Sequence, residues 1–214
     1  MNRIHLELIP LLKMNKILLI GHQGFLGSNL YRHIKSLQNK NMDFDIEVIN
    51  EKFNFDNNFD LYYNFLNNRD FDLVFNCAAE IDDQKNENSI EIVQAHIFLP
   101  IFLYMYSKKN IGNGKNLKIV CFSSTSVNSP RSRYPIYAAG KSFENSIFLS
   151  MGEIFLNSNI SWVQIVLPPL SGGLRDRIYP KDNSSTAVME VETLNTIMNF
   201  VLESSNGNIL DLSF

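Results

Sequence analysis

Residues 16–27 read KILLIGHQGFLG, and this stretch decides the fold. Lys16–Ile20 is a short apolar run, the mark of a strand buried on both faces. Gly21, Gly24 and Gly27 follow at once, three of the ten glycines in the chain. From 28 to 38 the pattern turns helical, with Leu30, Ile34 and Leu37 on one face. Between such a strand and helix the chain must turn tightly, let a phosphate approach the backbone, and press helix against strand. A Cβ would obstruct each of these, and glycine removes it. The helix N-terminus adds free N–H groups and a partial positive charge. In this context the glycines predict dinucleotide binding; the plainer alternative is a packing turn with no ligand.

The rest of the chain repeats the alternation. Strands are expected at 46–50 (IEVIN), 72–78 (DLVFNCA), 118–122 (KIVCF), 162–167 (WVQIVL) and 208–212 (NILDL). Helices are expected at 61–67, at 89–108 with Pro100 inside it, at 137–155 and at 191–203, with a short extended piece at 53–56. Strands alternating with helices imply right-handed crossovers and a mostly parallel sheet. The expected fold is therefore α/β, a Rossmann-like doubly wound parallel sheet with helices on both faces, in a single domain. Residues 14–214 form that domain. The first thirteen residues, MNRIHLELIPLLK, read as a poorly ordered leader, because Glu7 and Pro10 interrupt their apolar stretch; Met14 is the favoured beginning.

Composition sets bounds around this reading. At 214 residues, 45% hydrophobic, the chain can build one substantial core. A formal net charge of −3 gives no attraction for nucleic acid or an anionic membrane. The longest apolar run, 97–106, is about half of what a membrane-spanning helix needs. Cys77 and Cys121 lack metal-ligand spacing and read as buried thiols in a reducing compartment, so no metal and a cytoplasmic location are expected.

Tyr137 and Lys141 stand four apart at the start of a helix and share a face. A lysine charge beside a phenol favours the phenolate, so Tyr137 could pass a proton to or from a substrate oxygen. Ser124, thirteen residues earlier and just past a strand, could hold that oxygen. At the end of the second strand, Glu51 argues for NAD because an acidic side chain binds a ribose and repels a 2′-phosphate. Asn50 and Lys52 beside it leave room for NADP, and the choice stays open.

Taken together, GHQGFLG, FNCAAE, FSSTSV and YAAGK resemble, in order and spacing, the short-chain dehydrogenase/reductases. The GxxGFLG form is similar to the extended branch, the epimerases, dehydratases and reductases of nucleotide sugars. Residues 71–100 look most like 4-dehydrorhamnose reductases. The resemblance implies that Gly21, Gly24 and Gly27 carry the pyrophosphate of NAD or NADP, with Phe25 and Leu26 supplying N–H groups. It makes Asp56 the aspartate after the third strand that contacts adenine, and Cys77, Ala78 and Ala79 the small residues beside the cofactor ribose. Tyr137 becomes the catalytic acid/base, Lys141 the ligand of the nicotinamide ribose, and Ser124 the catalytic hydroxyl, with Thr125 in reserve. It also implies a homodimer through the helices at 89–108 and 137–155.

Departures from the family pattern are Ile20 where a threonine is usual, His96 where the long helix usually carries asparagine, and Leu167-Pro168 for Arg-Pro. Little chain follows Pro169 to build a substrate lobe. Arg131, Arg133, Arg175, Arg177 and Lys181 fall in loops near the expected site and suit a diphosphate-bearing substrate, and Gly172 and Gly173 could hinge a lid. The expected function is reduction of a keto group on a small molecule, a nucleotide-linked sugar. Epimerisation or dehydration, reduction of small carbonyl compounds, and dinucleotide binding without turnover are the alternatives.

Overall fold

The computed structural model describes residues 15–39, 44–81, 89–127, 134–168, 170 and 189–212. Six strands, β1 (Lys16–Ile20), β2 (Asp45–Val48), β3 (Leu73–Asn76), β4 (Leu117–Ser124), β5 (Ile160–Leu167) and β6 (Ile209–Asp211), form one sheet in the order β2-β1-β3-β4-β5-β6. Every pairing is parallel. The chain leaves β1 outward to β2, then crosses back to β3 on the other side. That reversal opens a crevice beyond the C-terminal ends of β1 and β3, where open α/β sheets bind their ligands.

The strands are apolar throughout because both faces are covered. Ile17 and Leu19 point into one layer with Leu30 and Ile34 of α1 (Phe25–Gln38) and Leu194, Ile197 and Val201 of α6 (Val191–Glu203). Leu18 and Ile20 point into the opposite layer with Phe102 and Leu103 of α4 (Leu99–Ile111) and Phe148 and Met151 of α5 (Pro135–Ile154). Burying each Leu or Ile contributes about 1.5–3 kcal/mol. Lys118 of β4 ties the first layer to the sheet: its ammonium donates to the carbonyls of Val201 and, at 2.7 Å, Ser204, at the C-terminal end of α6. The expected single α/β domain is what the described residues form, with small shifts at element ends.

Two elements depart from expectation. No strand lies between β2 and α2 (Phe55–Asn67) among the described residues, and the helix starts before residue 61. Asn54 caps it, accepting from the N–H groups of Asp56 and Asn57. Asn58 breaks the helical backbone near its start because its side chain donates to the Lys52 carbonyl at 2.6 Å and accepts from the Asn54 N–H at 2.7 Å.

The long helix runs as α3 (Ser89–Val93), a π segment (Gln94–Phe98) and α4. Pro100 has no N–H to give the His96 carbonyl, and the ladder widens so that the Leu99 N–H reaches the Gln94 carbonyl. Ser89–Ile111 is long and apolar enough to cross a membrane by length and composition. Its Leu99, Phe102, Leu103 and Tyr106 are buried against the sheet, as in the core helix of a globular domain.

Candidate functional site

The glycine turn joins β1 to α1 at the crevice. Gly21 has φ +77°, and a Cβ there would lie 2.7 Å from the Ala78 nitrogen, so the turn can press on the chain leaving β3 only as glycine. A Cβ on Gly27 would overlap the Gly21 carbonyl, which sets how closely α1 packs on the turn. Gly24 is the N-cap of α1 and donates its N–H to the Gly21 carbonyl at 3.0 Å. It offers no capping side chain, and the first turn holds no acidic residue. Phe25 and Leu26 begin the helix, half-buried. The His22 Nδ1 within this turn is buried without a hydrogen-bond partner. A helix start without a side-chain cap, fronted by glycine and beside an orphaned polar atom, fits an anionic pyrophosphate.

Across the crevice, the Cys77 N–H donates to the Ile20 carbonyl at 3.0 Å. Cys77 is buried, with Ala78 and Ala79 half-buried beyond it. Burial pushes the Cys77 thiol well above its ordinary range, so it packs as a small apolar group. Glu51 is exposed just past β2, its carbonyl held by the Tyr62 hydroxyl at 2.6 Å. Gln23 ties the turn to this corner through the Asn50 carbonyl at 3.3 Å. Lys52 reaches back to Glu80 at 3.5 Å. Asp56 is exposed in the first turn of α2, which among the described residues follows β2 with no strand between.

Ser124 is the last residue of β4, within the strand rather than beyond it, and pairs with Leu167. Its Oγ accepts the Ser126 N–H at 3.2 Å, opening the 3-10 turn Thr125–Val127. Tyr137 is half-buried in the first turn of α5, which packs against that 3-10 turn and β4. Lys141, one turn on, is buried, with its nitrogen 6.0 Å from the Tyr137 ring centre. That nitrogen donates to the Phe122 carbonyl at 2.8 Å, locking α5 to β4, and to Glu144 at 2.7 Å.

Glu144 and the bonding of His96 are what sequence reasoning missed. His96 is wholly buried; its Nδ1 lies 2.8 Å from the second Glu144 oxygen and its Nε2 2.8 Å from the Glu80 carbonyl. Its ring meets Tyr137 edge-on at 5.3 Å, while Tyr134 meets Tyr137 at 5.9 Å. Gly140 allows this crossing, since a Cβ there would fall 2.8 Å from the His96 Cβ. Burial alone would lower the Lys141 pKa, but the Glu144 carboxylate, with Tyr137 and Cys121, outweighs it and holds the lysine above its usual value. Burial would likewise raise Glu144, and Lys141 and His96 hold it below the usual carboxylate range. One signal for Glu144 was present: it stands three residues after Lys141, on the same helical face.

Among the described residues no group of three His, Cys, Asp or Glu could hold a metal ion. Residues 1–14, with the leader and Met14, lie outside the described residues, as do Arg131, Arg133, Gly172, Gly173, Arg175, Arg177 and Lys181.

No family model and no curated protein matches the chain by sequence. Solved structures do match its shape. A 4-hydroxyisoleucine dehydrogenase complexed with NADH superposes with a TM-score of 0.74 at 14% identity, over 93% of this chain and 97% of that one. A short-chain dehydrogenase of Salmonella enterica serovar Typhi gives 0.71 at 11% identity, over 94% and 97%. The fold is that of the short-chain dehydrogenases. A third protein with it, from Beutenbergia cavernae and provisionally assigned as an NAD(P)-dependent gluconate 5-dehydrogenase, holds NADP; its TM-score is 0.75 at 10% identity, over 93% and 95%. The chain spans nearly the whole of each of these three structures.

Proposed function

We propose that this protein is an NAD(P)-dependent oxidoreductase of the short-chain dehydrogenase/reductase type that interconverts a carbonyl and an alcohol. One juxtaposition carries the reading. The glycine turn after β1 and the Ser124, Tyr137 and Lys141 set around the end of β4 face the same C-terminal edge of a parallel sheet. Gly21, Gly24 and Gly27, with the Phe25 and Leu26 N–H groups, would hold the pyrophosphate of NAD or NADP. Glu51 would take the adenosine ribose, and Cys77, Ala78 and Ala79 would lie beside the second ribose. The bound nicotinamide supplies or accepts the hydride. Tyr137 gives the proton to the carbonyl oxygen in reduction and takes it back in oxidation. Ser124 rotates its hydroxyl from Ser126 to donate to the same oxygen. Lys141, fixed by the Phe122 carbonyl, presents positive charge beside Tyr137.

For the substrate, we propose a keto group on a nucleotide-linked sugar, on the strength of the resemblance at 71–100 and the basic residues at 131, 133, 175, 177 and 181. A small carbonyl compound is the second reading, favoured by the 4-hydroxyisoleucine dehydrogenase among the structures of like fold. The extended-branch chemistries, epimerisation and dehydration, rest on the GxxGFLG form alone. Incubating the protein with NADH or NADPH and a panel of nucleotide-linked keto sugars and small ketones, with cofactor oxidation as readout, separates these. Tyr137→Phe should lower kcat by about 10²–10⁴-fold and leave cofactor affinity unchanged. Unchanged turnover would remove Tyr137 from the chemistry. We further propose a homodimer, supported by the exposed Met105, Leu149 and Ile154 on α4 and α5, and a cytoplasmic location, supported by the free thiols of Cys77 and Cys121.

A further inference from the structure

Behind Tyr137 lies a charge cluster that the proposed chemistry does not account for. Lys141 retains only 4% of its surface exposure, and its ammonium meets one carbonyl and one carboxylate. Glu144 spends one oxygen on Lys141 and the other on the fully buried His96. As a neutral ring His96 gives its Nδ1 proton to Glu144 and accepts the Glu80 N–H at 3.2 Å through Nε2. Glu144 is therefore held from both sides, by an ammonium on its own helix and by a ring delivered by the π segment.

We propose that Glu144, steadied by His96, is a positioning residue whose carboxylate compensates the buried Lys141 ammonium and keeps it charged and in place beside Tyr137. The proposal rests on the reading of Lys141 as part of the site. A lone ammonium at this depth would pay the full cost of desolvation, and breaking a buried pair from one side is strongly destabilising. The Phe122 carbonyl supplies a dipole where a full charge is needed.

Two roles predict different behaviour for Glu144→Gln. The amide matches the carboxylate in shape: its oxygen can accept from Lys141 and its NH₂ can donate to His96 Nδ1, whose Nε2 proton then goes to the Glu80 carbonyl. The charge is lost, together with the Glu80 N–H bond to Nε2, a bond between neutral groups. In the native protein the Lys141 pKa is raised on folding. Its stabilising contribution is thus complete below about pH 10.4 and lost only as pH rises through the folded value. Glu144 is depressed on folding, so its contribution is present above about pH 4.3 and constant across the alkaline window. In Glu144→Gln, burial, the largest influence on Lys141, is opposed only by Tyr137 and Cys121, and the folded pKa drops below the unfolded one. The unfolded chain then binds more protons, and stability rises with pH. His96, Glu80, Tyr134, Tyr137, Cys77 and Cys121 face the same cluster, and Lys52 lies beyond Glu80. They are common to both proteins and cancel to first order in the difference.

The test is thermal unfolding of the cofactor-free full chain between pH 6 and 10. Glu144→Gln should lower Tm by about 10 °C at pH 7, and the gap should shrink to under about half by pH 10. Glu144→Asp, which keeps the charge, should show a smaller gap that does not change with pH. The double variant Lys141→Met/Glu144→Gln should melt above Glu144→Gln at pH 7, and this comparison stands even if the single variant is largely unfolded. A gap constant across the pH range, or a double variant no more stable than the single one, would overturn the proposal. Because no cofactor or substrate enters the measurement, failure to bind a dinucleotide would strike the functional reading alone.

Discussion

Gly27 is the residue at which sequence and structure agree most tightly. It is buried, and a methyl group there would overlap the carbonyl of Gly21, backbone against backbone. Gly27→Ala should therefore push α1 off the turn, weaken NADH and NADPH binding at least about 10-fold and lower stability by roughly 1–3 kcal/mol. Isothermal titration and urea denaturation check both effects, and retained affinity would detach the turn from the cofactor. Tyr137 and Lys141 were legible in the same way, because a four-residue spacing on a helix guarantees a shared face. Glu144 was only half legible. Its spacing from Lys141 is in the sequence, but its second partner, His96, is 48 residues away and reaches it through tertiary packing. Asp56 stands in the first turn of α2, and among the described residues no strand separates that helix from β2.

At the scale of elements, local chemistry explains the departures. Pro100 was visible inside the long helix, and its missing N–H widens the ladder into the π segment that carries His96 toward α5. Asn58 and Asn54 set the start of α2 through side chains that compete with the backbone, a competition that hydrophobic periodicity does not register. The buried contact between α4 and β5 was equally invisible. The Trp162 indole N–H donates to the Ser107 hydroxyl at 3.0 Å, and that hydroxyl donates to the Leu103 carbonyl at 2.9 Å. Ser107→Ala removes the acceptor that the indole has among the described residues and should cost about 1–3 kcal/mol, measured by urea denaturation with Trp162 fluorescence as the probe. A cost within about 0.5 kcal/mol would mean that the indole finds another partner.

Across the whole molecule, a sheet covered on both faces leaves the outer sides of its helices to water. On α5 that side carries Leu149 at 55% exposure and Ile154 at 52%, joined by Met105 at 49% on α4. Scattered apolar residues are ordinary, but these lie on the two helices expected to pair with a second copy. Light scattering should give a dimer for the native chain and a monomer for Leu149→Glu/Ile154→Glu with its fold intact. A native monomer would withdraw the homodimer. The chain covers 97% of the 4-hydroxyisoleucine dehydrogenase structure, a likeness of fold over nearly all of that chain.

By itself the sequence determined the alternation of strand and helix, the glycine turn, and the shared helical face of Tyr137 and Lys141. Each of these is written in local spacing: period in the strands and helices, the absence of a Cβ at three positions, one helical turn between two side chains. Only the tertiary structure decided that the sheet runs β2-β1-β3-β4-β5-β6, with no further strand beyond β2 among the described residues, and that Lys141 sits buried against Glu144, itself held by His96. Strand order and buried charge pairing depend on contacts between residues far apart in the chain, where spacing carries no information. Desolvation then decides which of those charges must find a partner.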